Sequence, residues 1–235
     1  MNNYLDNIDK ILEELLLNGY ARLPSIENFD LDNLANNISK DMQGETFKEL
    51  SLNHKNFLDF LGITEILTPK LLKIATEKFK YRGKILDQYH VARRVEPGNS
   101  KEFYRGHFDS HLFTLVLPIK IPEKNINNKP IGELIFFPFA RSQPKNEFIN
   151  IFQKIWFRLK FSSRDGLQSL SKKTPMHIEL FDDYRPLLFL GNTFFHTNKP
   201  VDEDASSYRL TLLAHFYDPS PKYGIGNILR ILRSR

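Results

Sequence analysis

The chain has 235 residues, 41% of them hydrophobic and 13% aromatic, with 20 Phe, enough to fill a substantial core. It contains no cysteine, which excludes disulfides, thiolate zinc sites and cysteine nucleophiles. The formal net charge is +5 but unevenly placed: residues 1–80 carry 9 Lys/Arg against 13 Asp/Glu, the remainder 24 against 15, so the later part is suited to an anionic phosphate, nucleic acid or membrane surface.

The N-terminus, MNNYLDNIDK, is polar and acidic and does not read as a secretory signal. No apolar run approaches the roughly 20 residues that span a bilayer. The expectation is a soluble, cytoplasmic, single-domain protein. Asn3 to Leu17 places Ile8, Ile11, Leu12, Leu15 and Leu16 at helical spacing, and Asn18-Gly19 stops that helix. GYARLP reads as a short strand ended by proline. Phe29 to Lys40 and Pro69 to Phe79 read as further amphipathic helices, so residues 1–80 are mainly helical.

From Gly83 the texture is β-like. The predicted strands are KILDQYHVARRV, HLFTLVLPIKI, GELIFFPFA, PLLFLGNTFF with a Gly-Asn bend inside it, and YRLTLLAHFYDP, separated by turn signals such as Pro97-Gly98-Asn99. Strands spaced by turns, with no alternating helices, predict a mainly β fold, a sandwich or jelly roll, over residues 81–220. One segment, at about 141–175, interrupts this pattern. In NEFINIFQKIWFRLKF, Phe148, Ile149, Phe152, Ile155, Trp156 and Leu159 follow helical periodicity, and this Phe/Trp stripe is expected to cover the sheet. Arg141 to Lys173 holds 8 basic and 2 acidic residues, a basic helical insertion of the kind that often carries function at the mouth of a β scaffold.

The chemistry concentrates in YRGHFDSH. His107, Asp109 and His111 are each two apart, and on a strand such residues share a face. Strand geometry alone leaves all three as potential metal ligands. His196 follows PLLFLGNTFF, and Arg209 enters the apolar strand RLTLLAHF thirteen residues later. Two histidines and one carboxylate form a facial triad suited to Fe(II) oxygen chemistry, with open positions for a chelating co-substrate and O2.

The string HFDSH…GELIFFP…PLLFLGNTFFHTNKPV…YRLTLLAHF resembles the Fe(II)/2-oxoglutarate-dependent dioxygenases over about residues 80 to 220, and NGYARLP resembles the short strand that often opens them. The resemblance implies a double-stranded β-helix (jelly roll) core with N-terminal helices. It implies that His107, Asp109 and His196 hold Fe(II). It gives Arg209 the distal carboxylate of the co-substrate 2-oxoglutarate, a task suited to the planar guanidinium fork. Thr211, two residues on, is positioned to donate a further hydrogen bond. Gln88 is a further co-substrate candidate, where relatives resembling phytanoyl-CoA hydroxylase often place a Gln, and Arg94 shares its strand face. The family pattern makes His111 a pocket-lining or packed residue. His90 and His215 read as core or pocket wall, and His54 and His177 carry no signal.

The implied function is hydroxylation of an unactivated C–H bond in a small molecule, an anionic one being favoured by the basic balance, with release of succinate and CO2. GELIFFP and HTNKPV also resemble prolyl-hydroxylase patterns, which makes a protein hydroxylase the alternative. A nucleic-acid demethylase is disfavoured, because His215 stands where that branch usually has a second Arg. A non-catalytic jelly-roll binding module is the reading from another class. The basic tail, residues 221–235, carries Ile225, Ile228, Leu229 and Leu232 on one helical side. It reads as packed on its own domain or a dimer partner, or disordered, in preference to docked on an anionic membrane.

Overall fold

The computed structural model describes residues 4–49, 57–85, 88–99, 103–123 and 129–220; the C-terminal tail and His54 lie outside the described residues. The chain opens with α1 (Ile8–Asn18), which buries Ile8, Ile11, Leu12 and Leu15 on one side. Gly19 ends it in the left-handed conformation, donating its N–H to the Leu15 carbonyl. Strand β1 (Tyr20–Arg22) follows, then α2 (Leu31–Met42), capped by the Asp30 side chain. A short strand, β2 (Phe47–Glu49), was not foreseen from the sequence. A π-helical turn at Ile63–Leu67 leads into α3 (Thr68–Phe79).

The remaining strands are β3 (Gln88–Val95), β4 (Phe113–Lys120), β5 (Leu134–Phe137), β6 (His177–Glu179), β7 (Leu187–Leu190), β8 (Phe195–Asn198) and β9 (Arg209–Phe216). Between β5 and β6 run α4 (Glu147–Phe161) and α5 (Arg164–Ser171). All named pairings are antiparallel, in a six-stranded sheet of order β1-β7-β4-β9-β3-β2 and a three-stranded sheet of order β6-β5-β8.

Strand alternation sorts the core into three layers. On β9, Leu210, Leu212, Ala214 and Phe216 turn outward and join Leu115, Leu117, Leu188 and the apolar sides of α1, α2 and α3. Val116, Leu187 and Phe189 of the large sheet meet Leu134, Phe136 and Phe194 between the two sheets. Ile135, Phe137 and Phe195 of the small sheet pack outward against Phe157 and Phe161 of α4 and Leu167 and Leu170 of α5. The molecule is therefore mainly β with flanking helices.

Two expectations are corrected. PLLFLGNTFF is not one bent strand. It supplies β7 to the large sheet and leads into β8 of the small sheet through a turn closed by the Thr193 N–H on the Leu190 carbonyl. The Phe/Trp stripe of α4 does not cover the sheet either. Phe157 and Phe161 do that, while Phe148, Phe152, Ile155, Trp156 and Leu159 face solvent.

Candidate metal centre

His107, Asp109 and His196 come together at one end of the space between the sheets, each offering one ligand atom within 4.8 Å of the others. His196 is on β8, on the alternation that also carries Asn198 inward, because Phe136 of the inter-sheet layer lies directly opposite it. The first two candidate ligands are not on a regular strand, contrary to the sequence expectation. His107 makes an isolated bridge to His196, exchanging both backbone hydrogen bonds at 3.0 Å. The Asp109 N–H then donates to the Gly191 carbonyl at 3.0 Å, and β4 begins only at Phe113.

Gly191 is required by close approach. A Cβ there would lie 2.8 Å from Thr114 Oγ1 and 2.9 Å from both Asp109 Cβ and the His111 carbonyl oxygen. The loop carrying Asp109 thus lies directly on the β7–β8 turn.

Each candidate ligand is held by its other polar atom. His107 Nδ1 is 2.9 Å from the Arg105 carbonyl, and His196 Nδ1 is 3.1 Å from the Phe194 carbonyl. A carbonyl only accepts, so both Nδ1 atoms carry the proton and both Nε2 lone pairs are free. These Nε2 atoms lie 3.6 Å and 3.8 Å from Asp109 Oδ1. The other carboxylate oxygen, Oδ2, accepts from the Thr114 hydroxyl at 2.6 Å. Thr114 Oγ1 is also 3.0 Å from His215 Nδ1. Since the hydroxyl proton goes to Asp109, His215 donates to Thr114.

The electrostatics suit a cation. Burial would raise Asp109, but His196, His215, His107 and the Thr114 hydroxyl outweigh it and hold the carboxyl well below the usual range. Desolvation, then the adjacent His196, lower His107 from the usual imidazole range, an effect that solvent at its half-exposed side chain moderates. Burial likewise lowers His215. The cluster brings together two imidazoles and one carboxylate, the donor set that suits a borderline divalent ion such as Fe(II). The side chain of His107 is half exposed, which leaves an approach to the cluster from solvent.

A second polar region adjoins the cluster. Arg209 and Thr211 are buried on the same inward face of β9, and Arg93 on β3 is paired directly opposite Thr211. A narrow cleft is lined by Arg93, Gly132, Asn198, Lys199, Val201 and Arg209. Arg93 donates to Asn198 Oδ1, two residues beyond His196 on β8. Arg209 has no hydrogen-bonded or ion-paired partner among the described residues; its guanidinium lies over the Phe181 ring. Burial, then the Arg93 charge, push it down to about 9, with Glu133 acting the other way. Gly132, at φ +88°, makes room for it, because a Cβ there would lie 2.7 Å from Arg209 Cδ.

Gln88 is corrected by the register. On β3 the inward residues are Tyr89, Val91, Arg93 and Val95, opposite His215, Leu213, Thr211 and Arg209. Gln88 has the other parity and turns to the helices, donating to Thr68 Oγ1 at 3.3 Å and contacting His90 at 3.0 Å. Arg94 shares that outer side, paired with Glu96 and stacked over Tyr208 at 3.8 Å. His111 is buried outside the three-residue cluster, stacked with Tyr89 and with His215. Thr114, Gly191 and Arg93 were not singled out by sequence reasoning, and His215, read as core or pocket wall, lies beside Thr114.

No family model and no curated protein matches the chain. Solved structures do. A prolyl-4-hydroxylase from Pseudomonas putida is 17% identical at a TM-score of 0.52, covering 88% of this chain and 92% of its own. The epimerase SnoN, solved with Fe3+, alpha-ketoglutarate and nogalamycin RO, is 11% identical at 0.53, covering 95% and 89%. The alpha-ketoglutarate-dependent carbocyclase SnoK from nogalamycin biosynthesis is 10% identical at 0.53, covering 94% and 89%. The chain shares the fold of these proteins and brings His107, Asp109 and His196 together.

Proposed function

We propose that the protein is an Fe(II)- and 2-oxoglutarate-dependent oxygenase that hydroxylates a C–H bond of a small anionic molecule, releasing succinate and CO2. The two sheets are then the halves of a double-stranded β-helix. The observation that carries this reading is the orientation of the cluster. Both Nδ1 atoms and Asp109 Oδ2 are engaged elsewhere, so two Nε2 atoms and Oδ1 are left to converge on one point.

In this reading His107, Asp109 and His196 hold the metal, which when bound supplies oxygen activation coupled to oxidation of the keto acid. Thr114 and His215 fix the carboxylate so that Oδ1 faces the ion. Arg209 receives the distal carboxylate of 2-oxoglutarate through its guanidinium fork, with Thr211 beside it. Buried Arg209 and partly buried Arg93 face the cleft, and a dianion entering it relieves their mutual repulsion. The sheet walls of Leu213, Val116 and Phe189 limit water near the bound keto acid. The anionic substrate is supported by the excess of Lys/Arg after residue 80.

A prolyl-type protein hydroxylase is the second reading, supported by GELIFFP and HTNKPV and by the fold shared with the Pseudomonas putida enzyme. An anaerobic crystal structure with Fe(II) and 2-oxoglutarate tests the site. Iron bound to His107, Asp109 and His196, with the co-substrate carboxylate on Arg209, supports the assignment. Metal elsewhere, or a co-substrate turned away from Arg209, refutes it.

A further inference from the structure

The helix α4 is apolar on two opposite sides, and only one is used within the chain. Its inner side buries Phe157 and Phe161 against Phe108, Phe195, Leu167 and Leu170. That side is also anchored by polar contacts. Arg141 donates to the Asn150 side chain at 2.9 Å and to Gln153, and Lys154 Nζ donates to Ser110 Oγ at 3.1 Å. The orientation of the helix is therefore fixed by its packing. The outer side presents Phe148 at 73% exposure, Ile149 at 39%, Phe152 at 70%, Ile155 at 55%, Trp156 at 43% and Leu159 at 83%. At about 100° per residue, these six fall within an arc of roughly 120°, a continuous stripe along the helix. Soluble monomers rarely leave so large a contiguous apolar surface uncovered.

Charge selects what covers it. Of the 8 basic residues between Arg141 and Lys173, Arg141 is buried and Lys154 is held against Ser110, which leaves six against the acids Glu147 and Asp165. Arg158 and Lys160, both exposed, stand on α4 beside the stripe, and Lys160 Nζ lies 4.7 Å from the Trp156 ring. A second copy of the same face would set this basic segment against itself. A ridge of this shape also offers no groove to a peptide. An apolar stripe with an aromatic ring at its edge and basic side chains along its flanks is the pattern of a helix lying in the interface of an anionic bilayer. At 15 residues, α4 is too short to cross one.

We propose that the outer face of α4 docks on an anionic lipid surface, with Phe148, Phe152, Ile155 and Leu159 entering the headgroup boundary and Arg158 and Lys160 meeting lipid phosphates. Trp156 is the chain's one tryptophan, so its fluorescence reports this contact directly. The experiment titrates the full-length protein, without added iron or 2-oxoglutarate, with phosphatidylcholine vesicles with and without phosphatidylglycerol. The expected result is a blue shift with the mixed vesicles, quenched by brominated acyl chains and reversed by high salt. Phe152→Ser and Leu159→Ser each lower partitioning by about tenfold or more, with unchanged circular dichroism. Absence of the shift, or an equal shift with pure phosphatidylcholine, overturns the proposal. So does a blue shift without lipid that tracks self-association in sedimentation, which would make the face a contact between copies. Because binding is read without turnover, the outcome is separate from that of the oxygenase assignment.

Discussion

At the residue scale, the centre depends on which lone pairs are left free. Asp109 has one oxygen held by Thr114 and one facing both Nε2 atoms. Asp109→Ala is expected to abolish Fe(II) binding. Thr114→Val keeps the shape, releases Oδ2, and is expected to weaken Fe(II) binding by about 10–100-fold. Gly191→Ala forces a Cβ against Asp109 and Thr114 and is expected to weaken it by about tenfold or more. Anaerobic equilibrium dialysis measures all three, and wild-type affinity in Thr114→Val would remove the hydroxyl from the site. Arg209→Ala is expected to raise the KM for 2-oxoglutarate by at least about tenfold while leaving Fe(II) affinity intact, since a charged hydrogen bond is worth roughly 1.5–3 kcal/mol. An unchanged KM refutes its role.

The three residues of the cluster were legible at this scale because His-x-Asp, a distant His and a following Arg survive as a linear pattern. The supporting residues were not. Thr114 and His215 meet only because β4 and β9 pair across 101 positions. In QYHVARRV either parity offers polar residues, Gln88 with Arg94 or Tyr89 with Arg93. Only the pairing with β9 decides which set faces the cleft.

At the scale of elements, α4 shows what periodicity tells and what it leaves open. The helix and its apolar stripe follow from sequence spacing, and in the structure the Asn146 side chain caps its start. The direction of the stripe does not, because Phe157 and Phe161 form a second apolar side and packing chooses between them. Phe157→Ala is expected to destabilise the protein by about 3–5 kcal/mol, whereas Phe152→Ala stays within about 0.5 kcal/mol. Urea denaturation distinguishes them, and equal costs would contradict the orientation of α4. A similar limit divided PLLFLGNTFFH. Its two halves have the same apolar character, so nothing local marks that β7 and β8 belong to different sheets.

At the scale of the molecule, the mainly helical start and the β-rich remainder share one frame. Strands β1 and β2 form the edges of the large sheet, and α1, α2 and α3 cover its outer face. The break in texture near residue 80 is therefore not a break in packing. Circular dichroism and Trp156 fluorescence are expected to report coincident urea transitions. Separated midpoints would show that the helical layer and the sheets melt independently. No described helix is long and apolar enough to cross a membrane. The overall order, helices then strands with one helical interruption, was legible from composition and turn signals. The sheet order was not, since strands far apart in sequence are neighbours in the sheet.

The most direct measurement is succinate formation from 2-oxoglutarate by the purified protein, with and without Fe(II) and O2. On the oxygenase reading, the centre oxidises 2-oxoglutarate slowly even without the substrate. Succinate should form only when metal and oxygen are both present, and Asp109→Ala should form none. Wild-type protein that binds neither Fe(II) nor 2-oxoglutarate and makes no succinate would contradict the oxygenase reading and leave a β scaffold used for binding alone.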